Sequence, residues 1–360
     1  MLFLPCAALR SIYNRRCFEG KTAIPERFVW VESNYEIPGY RMQSPVFSRM
    51  SAIIQPLVVP EKRIATLLSD YAQLTKLRVT TLIVLTAWCG YYFGCVRAGV
   101  SSISWNLFHA LLGIGMVSSG TAALNEVMEY KVDANMRRTA RRPIPAGRMS
   151  LLHGALAGLT LTLGGALYLG FALNPLTGWL SLATAAVYLA AYTPLKRISP
   201  ICTFVGAFPG AMPGVLGWAA ARGRLEWGTL VIFAIVFLWQ FPHFFSIAWL
   251  YRDDYAEGGI QMLPVVDPAG RSTSWRILAY SLVLIPVSVL PTVVGMSGRF
   301  YLFGAVALGL GYLYAGTRLT RLGLPVSAPV SKLRARQLLQ TSVLYLPLLF
   351  ALMMTNSVRP

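Results

Sequence analysis

Charge is scarce in this sequence, and acidic charge is scarcer still. Asp, Glu, Lys and Arg make up 13% of its 360 residues, about half the share of a typical soluble domain. Segments such as 156–171, 179–192 and 231–241 lack the polar residues at helical spacing that a large soluble helical core would show. Together with apolar runs of roughly 20 residues, these absences exclude a soluble domain and put most of the chain in a bilayer. Paired cysteines are missing too: Cys6, Cys17, Cys89, Cys95 and Cys202 show no metal-type spacing. Cys89 and Cys95, at the end of an apolar span, read as small buried residues. The net charge of +18 suggests nucleic acid at first sight. The basic residues form no stripe with interleaved aromatics, however, so no nucleic-acid partner is expected.

What is present divides the chain at about residue 65. The first 18 residues hold Arg10, Arg15 and Arg16 and no acid, which suits an amphipathic mitochondrial presequence. A secretory signal fits less well, because the short apolar run comes before the basic cluster. Residues 1–65 are therefore expected to be a presequence with a poorly ordered matrix segment, and 66–360 a transmembrane domain. The fold class is all-α and polytopic, with nine spans at about 79–96, 105–124, 151–172, 175–193, 201–220, 228–250, 275–295, 300–317 and 337–355. One set of loops carries most of the cations, among them Lys76, Arg137, Arg138, Arg142, Lys196, Arg197, Arg252 and Lys332. The opposite loops hold Arg97, Arg222, Arg224 and Arg299. The first set therefore faces the cytoplasm or, in a mitochondrion, the matrix.

Acids carry the chemistry. After residue 70 eight remain, and seven fall in two groups: Glu126, Glu129 and Asp133, then Asp253, Asp254, Glu257 and Asp267. Both groups lie on the basic face. Asn125, Glu129 and Asp133 are spaced i, i+4, i+8, so a helix stacks three oxygen-bearing side chains on one face. Carboxylates near lipid need a polar cavity or a partner. Hard oxygen ligands from two segments, open on one side, suit Mg²⁺ that also holds substrate phosphates. The neighbouring arginines suit the phosphate oxygens. A solvated loop of mutually neutralising charges would explain one such group; two on one face are harder to dismiss.

Six segments in order now carry a resemblance. The first is Asn125-x3-Glu129-x3-Asp133-x2-Met136-x-Arg138-Thr139-x2-Arg142-Pro143-x-Pro145-x-Gly147. The others are Leu74-Thr75-Lys76, Tyr192-Thr193-Pro194-Leu195-Lys196-Arg197, Gly210-Ala211-Met212-Pro213 with Gly217-Trp218, Trp239-Gln240-x-Pro242-His243-Phe244, and Asp254-Tyr255-x3-Gly259-x2-Met262-Leu263-Pro264. The set resembles the protoheme IX farnesyltransferases, intramembrane prenyltransferases, over residues 70–355. Three positions depart from it. Bacterial members often carry Asp where Glu129 stands, Leu77 replaces a Pro, and the second group is not a clean Asp-x3-Asp. Asp254 matches the pattern, and Asp253 and Glu257 are supplementary candidates.

The resemblance implies a helix bundle around a central cavity, and transfer of farnesyl from farnesyl diphosphate to a vinyl group of heme B, giving heme O. It implies Mg²⁺ held by Asn125, Glu129, Asp133 and Asp254, and diphosphate oxygens bound by Lys76, Arg138, Arg142, Lys196 and Arg197. His243 becomes a candidate heme contact. The implied setting is the mitochondrial inner membrane and its lipid, with the site facing the matrix. A heme A synthase or cytochrome oxidase assembly factors are the implied partners, and homo-oligomerisation is left open. A quinone-pathway enzyme prenylating 4-hydroxybenzoate shares the diphosphate chemistry. A secondary transporter would want its acids at the midplane, and here they lie at one interface.

Overall fold

Apolar runs can satisfy their backbone groups in lipid only as helices or closed barrels, and the candidate spans among the described residues are all helices. In a computed structural model the described residues are 61–321, 323 and 325–358. The presequence reading of residues 1–65 lies outside them except for 61–65, which open the first helix.

The bundle starts with α1 (Glu61–Leu74), α2 (Leu77–Ala98) and α3 (Trp105–Ala134). Next come α4 (Leu151–Ala172), α5 (Pro175–Ala186), a π-helical turn (Val187–Tyr192) and the short α6 (Thr193–Leu195). The second part comprises α7 (Cys202–Arg222), α8 (Trp227–Leu250), and short helices α9 (Arg252–Glu257) and α10 (Leu263–Val266). It ends with α11 (Arg271–Val293), α12 (Arg299–Thr320) and α13 (Pro329–Thr355). Among the described residues nine helical segments of 21 to 30 residues are long and apolar enough to cross a membrane, as the sequence predicts. Three differences matter. α3 runs ten residues past the expected end of span two, carrying Asn125, Glu129 and Asp133 on one continuous helix. α13 begins eight residues early. The short helices α1, α9 and α10 had no span-length signal to announce them.

Small residues set the spacing of the bundle. A Cβ on Gly217 would stand 1.8 Å from the Ala87 carbonyl oxygen, and one on Gly90 would stand 1.9 Å from that of Gly214. Backbone therefore meets backbone between α2 and α7, the approach that small residues permit in membranes. On the other side α8, α11, α12 and α13 enclose a core that includes Tyr301, Tyr312 and Tyr345. Each buried phenol is paired: Tyr301 with the Ser288 carbonyl at 2.7 Å, Tyr345 with the Ser288 hydroxyl at 2.7 Å and Tyr312 with the Trp239 carbonyl at 3.2 Å. Cys89 and Cys95 are free and buried. His109 pairs with Tyr168 between α3 and α4, an ordinary interhelical contact.

Candidate active site

The site is built where α3 leaves the membrane. Its helical rise brings Asn125, Glu129 and Asp133 to one face, and all three are buried. Buried carboxylates need compensation, and it comes from elements distant in sequence. Lys196 Nζ lies 2.7 Å from Glu129 Oε1, with both side chains 9% exposed. Arg142 Nη1 lies 2.5 Å from Asp133 Oδ2. Lys76 Nζ donates to Asn125 Oδ1 at 2.8 Å. Asn125 Nδ2 in turn donates to Glu129 Oε2 at 2.9 Å and to Thr193 Oγ1 at 3.1 Å.

Local backbone features aim these groups. Lys76 sits between α1 and α2 at φ 48°, the only positive φ of a non-glycine among the described residues. Burial, then the neighbouring Arg142 and Lys196, pull its amine down to about 7. The π-turn shifts the helix register ahead of Thr193 and Lys196, and such turns favour functional sites. The segment after α3 folds back on itself: Thr139 Oγ1 donates to the Asp133 carbonyl at 2.9 Å, and the Ile144 amide donates to Glu126 Oε1 at 3.2 Å. Arg148, salt-bridged to Asp70 at 2.8 Å, ties the segment to α1.

The second acidic group divides. Asp253 is held by Lys332 at 2.8 Å and Arg252 at 3.2 Å, and its carboxyl is kept below the usual range chiefly by the Lys332 hydrogen bond. Glu257 meets Arg137 at 3.7 Å on the surface. Asp254 is half-buried and has no hydrogen-bond or ion-pair partner among the described residues. Arg138 lies over the rings of Tyr251 and Tyr255, at 5.1 and 5.6 Å from their centroids, and so joins the segment after α3 to the Asp254 turn. Arg197 is exposed, without a partner among the described residues, and stands outside the buried cluster. No three His, Cys, Asp or Glu side chains converge on one metal-sized point among the described residues. The donor chemistry nevertheless fits a hard cation: three oxygen-bearing side chains share one face, and each carboxylate is now held by a movable cation.

Lys76 also belongs to an apolar cavity of about 360 Å³ that runs into the bundle between α2, α3, α5, α7 and α8. Tyr188 and Tyr192 line it near the charged cluster, and Trp239, Gln240 and His243 line it on α8. Gly210 has no side chain because Gln240 Oε1 would lie 1.9 Å from its Cβ. His243 Nδ1 is 2.7 Å from Ser342 Oγ, and its ring stacks on Trp239 at 4.8 Å. Sequence reasoning did not single out Tyr188, and it gave no role to Thr193, quoted within a matched motif, or to Glu126, counted in the first acidic group. For Tyr188 the available signal was its nearness to a matched motif.

A profile of the UbiA prenyltransferase family matches residues 83–354. A protoheme IX farnesyltransferase of Koribacter versatilis is 57% identical over 307 residues, covering 85% of this chain and 99% of that protein. One of Solibacter usitatus is 48% identical over 293 residues, 80% of this chain and 98% of that protein. Among solved structures, a digeranylgeranylglyceryl phosphate synthase superposes with a TM-score of 0.63 at 15% identity, covering 80% of this chain and 98% of that one. A UbiA homolog from Archaeoglobus fulgidus bound to GPP and Mg²⁺ gives 0.56 at 16% identity, covering 79% and 99%.

Proposed function

The chain belongs to the UbiA prenyltransferase family, and from that premise we propose that it is a membrane prenyltransferase making heme O from farnesyl diphosphate and protoheme IX. The observation that carries this reading is the stacked Asn125, Glu129 and Asp133, interleaved with Lys76, Arg142 and Lys196 at one end of an apolar cavity.

The residues divide the work. Lys76, Arg142 and Lys196 bind the diphosphate oxygens, with Arg138 and Arg197 at the rim, and stabilise charge as the C1–O bond breaks. Asn125, Glu129, Asp133 and Asp254 would hold Mg²⁺, which neutralises the leaving diphosphate when bound. As Lys196 and Arg142 move to the anion, Glu129 and Asp133 are freed for the metal. The apolar walls hold the C15 chain and keep water from the allylic cation. The terminal vinyl carbon of the heme bonds to C1, water adds to the adjacent carbon, and a proton leaves. His243, with Nδ1 tied to Ser342, offers Nε2 toward the cavity as a heme contact.

We read the membrane as the mitochondrial inner membrane, on the acid-free, arginine-bearing first 18 residues. In this reading a heme A synthase receives the product, on the way to cytochrome oxidase. The two protoheme IX farnesyltransferases named above are bacterial, and in a bacterial membrane the same charge rule turns the basic face to the cytoplasm.

The test incubates purified protein in detergent with heme B, farnesyl diphosphate and Mg²⁺, beside an Asp133→Ala variant, with chromatography and mass analysis of the hemes. Heme O from the native chain alone is the expected result. Prenylation of an aromatic acid instead would transfer the protein to quinone synthesis. A His243→Ala chain with unchanged heme spectra and full turnover would remove the heme contact.

A further inference from the structure

Basic residues are few at the end of the bundle opposite the active site. Among the described residues the Lys and Arg groups there are Arg97, Arg222, Arg224 and Arg299. One of the four, Arg97, lines a cleft of about 740 Å³ between the ends of α2, α7, α8 and α11, whose wall also carries Glu226. Its walls are apolar, with Phe93, Val96, Met212, Val215 and Phe233 among them. Arg222 and Arg224 are both occupied by Glu226, at 3.2 and 2.8 Å. Trp218 Nε1 also donates to Glu226, at 3.2 Å. Arg97 lines the cleft, is exposed, and has no ion-pair or hydrogen-bond partner among the described residues. Trp227, 80% exposed, stands on the rim, and interfacial tryptophans mark the headgroup level.

The positive-inside rule explains why this end has few cations, but not why one of them, Arg97, stands unpaired among the described residues on an apolar cleft. An unpaired guanidinium at headgroup depth, above walls that lie in hydrocarbon, matches a ligand with an anionic head and an apolar body. A dicarboxylic tetrapyrrole would need a second free cation, and Glu226 already holds both candidates. We propose that this cleft binds one anionic phospholipid of the leaflet opposite the active site, its phosphate on Arg97 and its acyl chains along the Phe93–Met212–Phe233 wall. Basic pockets between membrane helices recognise lipid headgroups in this way.

The experiment is native mass spectrometry of the full chain in detergent with phosphatidylglycerol or phosphatidylcholine added. Each variant is first checked for an unchanged melting midpoint. The native chain is expected to retain phosphatidylglycerol over phosphatidylcholine. Arg97→Gln should weaken phosphatidylglycerol binding about fivefold, the effect of one cation at a membrane surface, and Arg299→Gln, at the same end but away from the cleft, should leave it unchanged. Val294→Trp, at a half-open lining position, should exclude both lipids. Equal lipid retention by Arg97→Gln overturns the proposal, as does an equal loss in Arg299→Gln. Displacement of the lipid by inorganic phosphate alone would reduce the cleft to an anion site. Displacement by heme B would assign it to the tetrapyrrole. Either displacement overturns it.

Discussion

Two side chains at the basic end separate chemistry from packing. Lys76 occupies left-handed backbone at φ 48° and ψ 48°, a conformation that costs an L-residue about 1 kcal/mol and that glycine adopts freely. Its amine alone justifies that cost. Lys76→Gly is therefore expected to keep or raise the melting midpoint while lowering prenyl transfer at least about tenfold, the worth of one charge-assisted hydrogen bond. A parallel fall in both would make Lys76 a structural residue. Glu126 is the reverse case. Its neighbours Asn125 and Glu129 mark it in sequence as one more acid of the cluster. One residue is a rotation of about 100° on a helix, however, and that turns Glu126 away from their face. It accepts the Ile144 amide, next to Arg142, while its other oxygen is buried without a partner. Glu126→Gln keeps the acceptor and should keep the native KM for farnesyl diphosphate. Glu126→Ala strands a buried amide at about 1–3 kcal/mol and loosens Arg142, so KM should rise several-fold while kcat changes less. Equal kinetics for the two variants would sink this role.

At the level of elements, the spans were legible and their internal geometry was not. Hydropathy over residues 175–193 reports one helix, and an added residue in a π-turn leaves that average untouched. Yet the turn at Val187–Tyr192 sets which way Thr193 and Lys196 face. Deleting exposed Ala190 should restore an α-helix and rotate both away from Glu129. Prenyl transfer should then fall about a hundredfold, as misplacements of about 1 Å do, in a chain that still purifies as a single species. Preserved activity would show that the turn is incidental. Glycines line the α2–α7 seam. Their contacts make them obligatory. Gly217→Leu meets the Ala87 carbonyl and should destabilise by about 1–3 kcal/mol or more. Gly164→Leu, with no atom within 4 Å of its Cβ, should be neutral in the same melting assay.

For the whole molecule, what sequence could not supply was distance. Periodicity gave one helix face bearing Asn125, Glu129 and Asp133, and loop charge gave the side of the membrane. The pairing of Glu129 with Lys196, 67 residues away, depends on how α3 packs against the turn after α5. The second acidic group divides for the same kind of reason: Lys332 at the start of α13 draws Asp253 aside, and the Asp254 side chain is left without an ion-pair partner among the described residues. The buried groups at the active site form a charge balance awaiting completion. Lys76, Arg142 and Lys196 stand against Glu129 and Asp133, leaving one positive charge in surplus. A prenyl diphosphate brings three negative charges and Mg²⁺ two positive, so the charge each brings into the site is largely compensated only when the other is bound. Ligands that bind the folded state raise its stability by mass action, about 2.7 kcal/mol at a hundred times Kd. The melting midpoint in detergent should therefore rise more with farnesyl diphosphate and Mg²⁺ together than with the two separate shifts added. EDTA should return it to the small shift of the diphosphate alone, and Asp133→Ala should abolish the excess. Additive shifts would mean that the two occupy independent sites, and the exchange of Lys196 and Arg142 from carboxylate to phosphate would lose its basis.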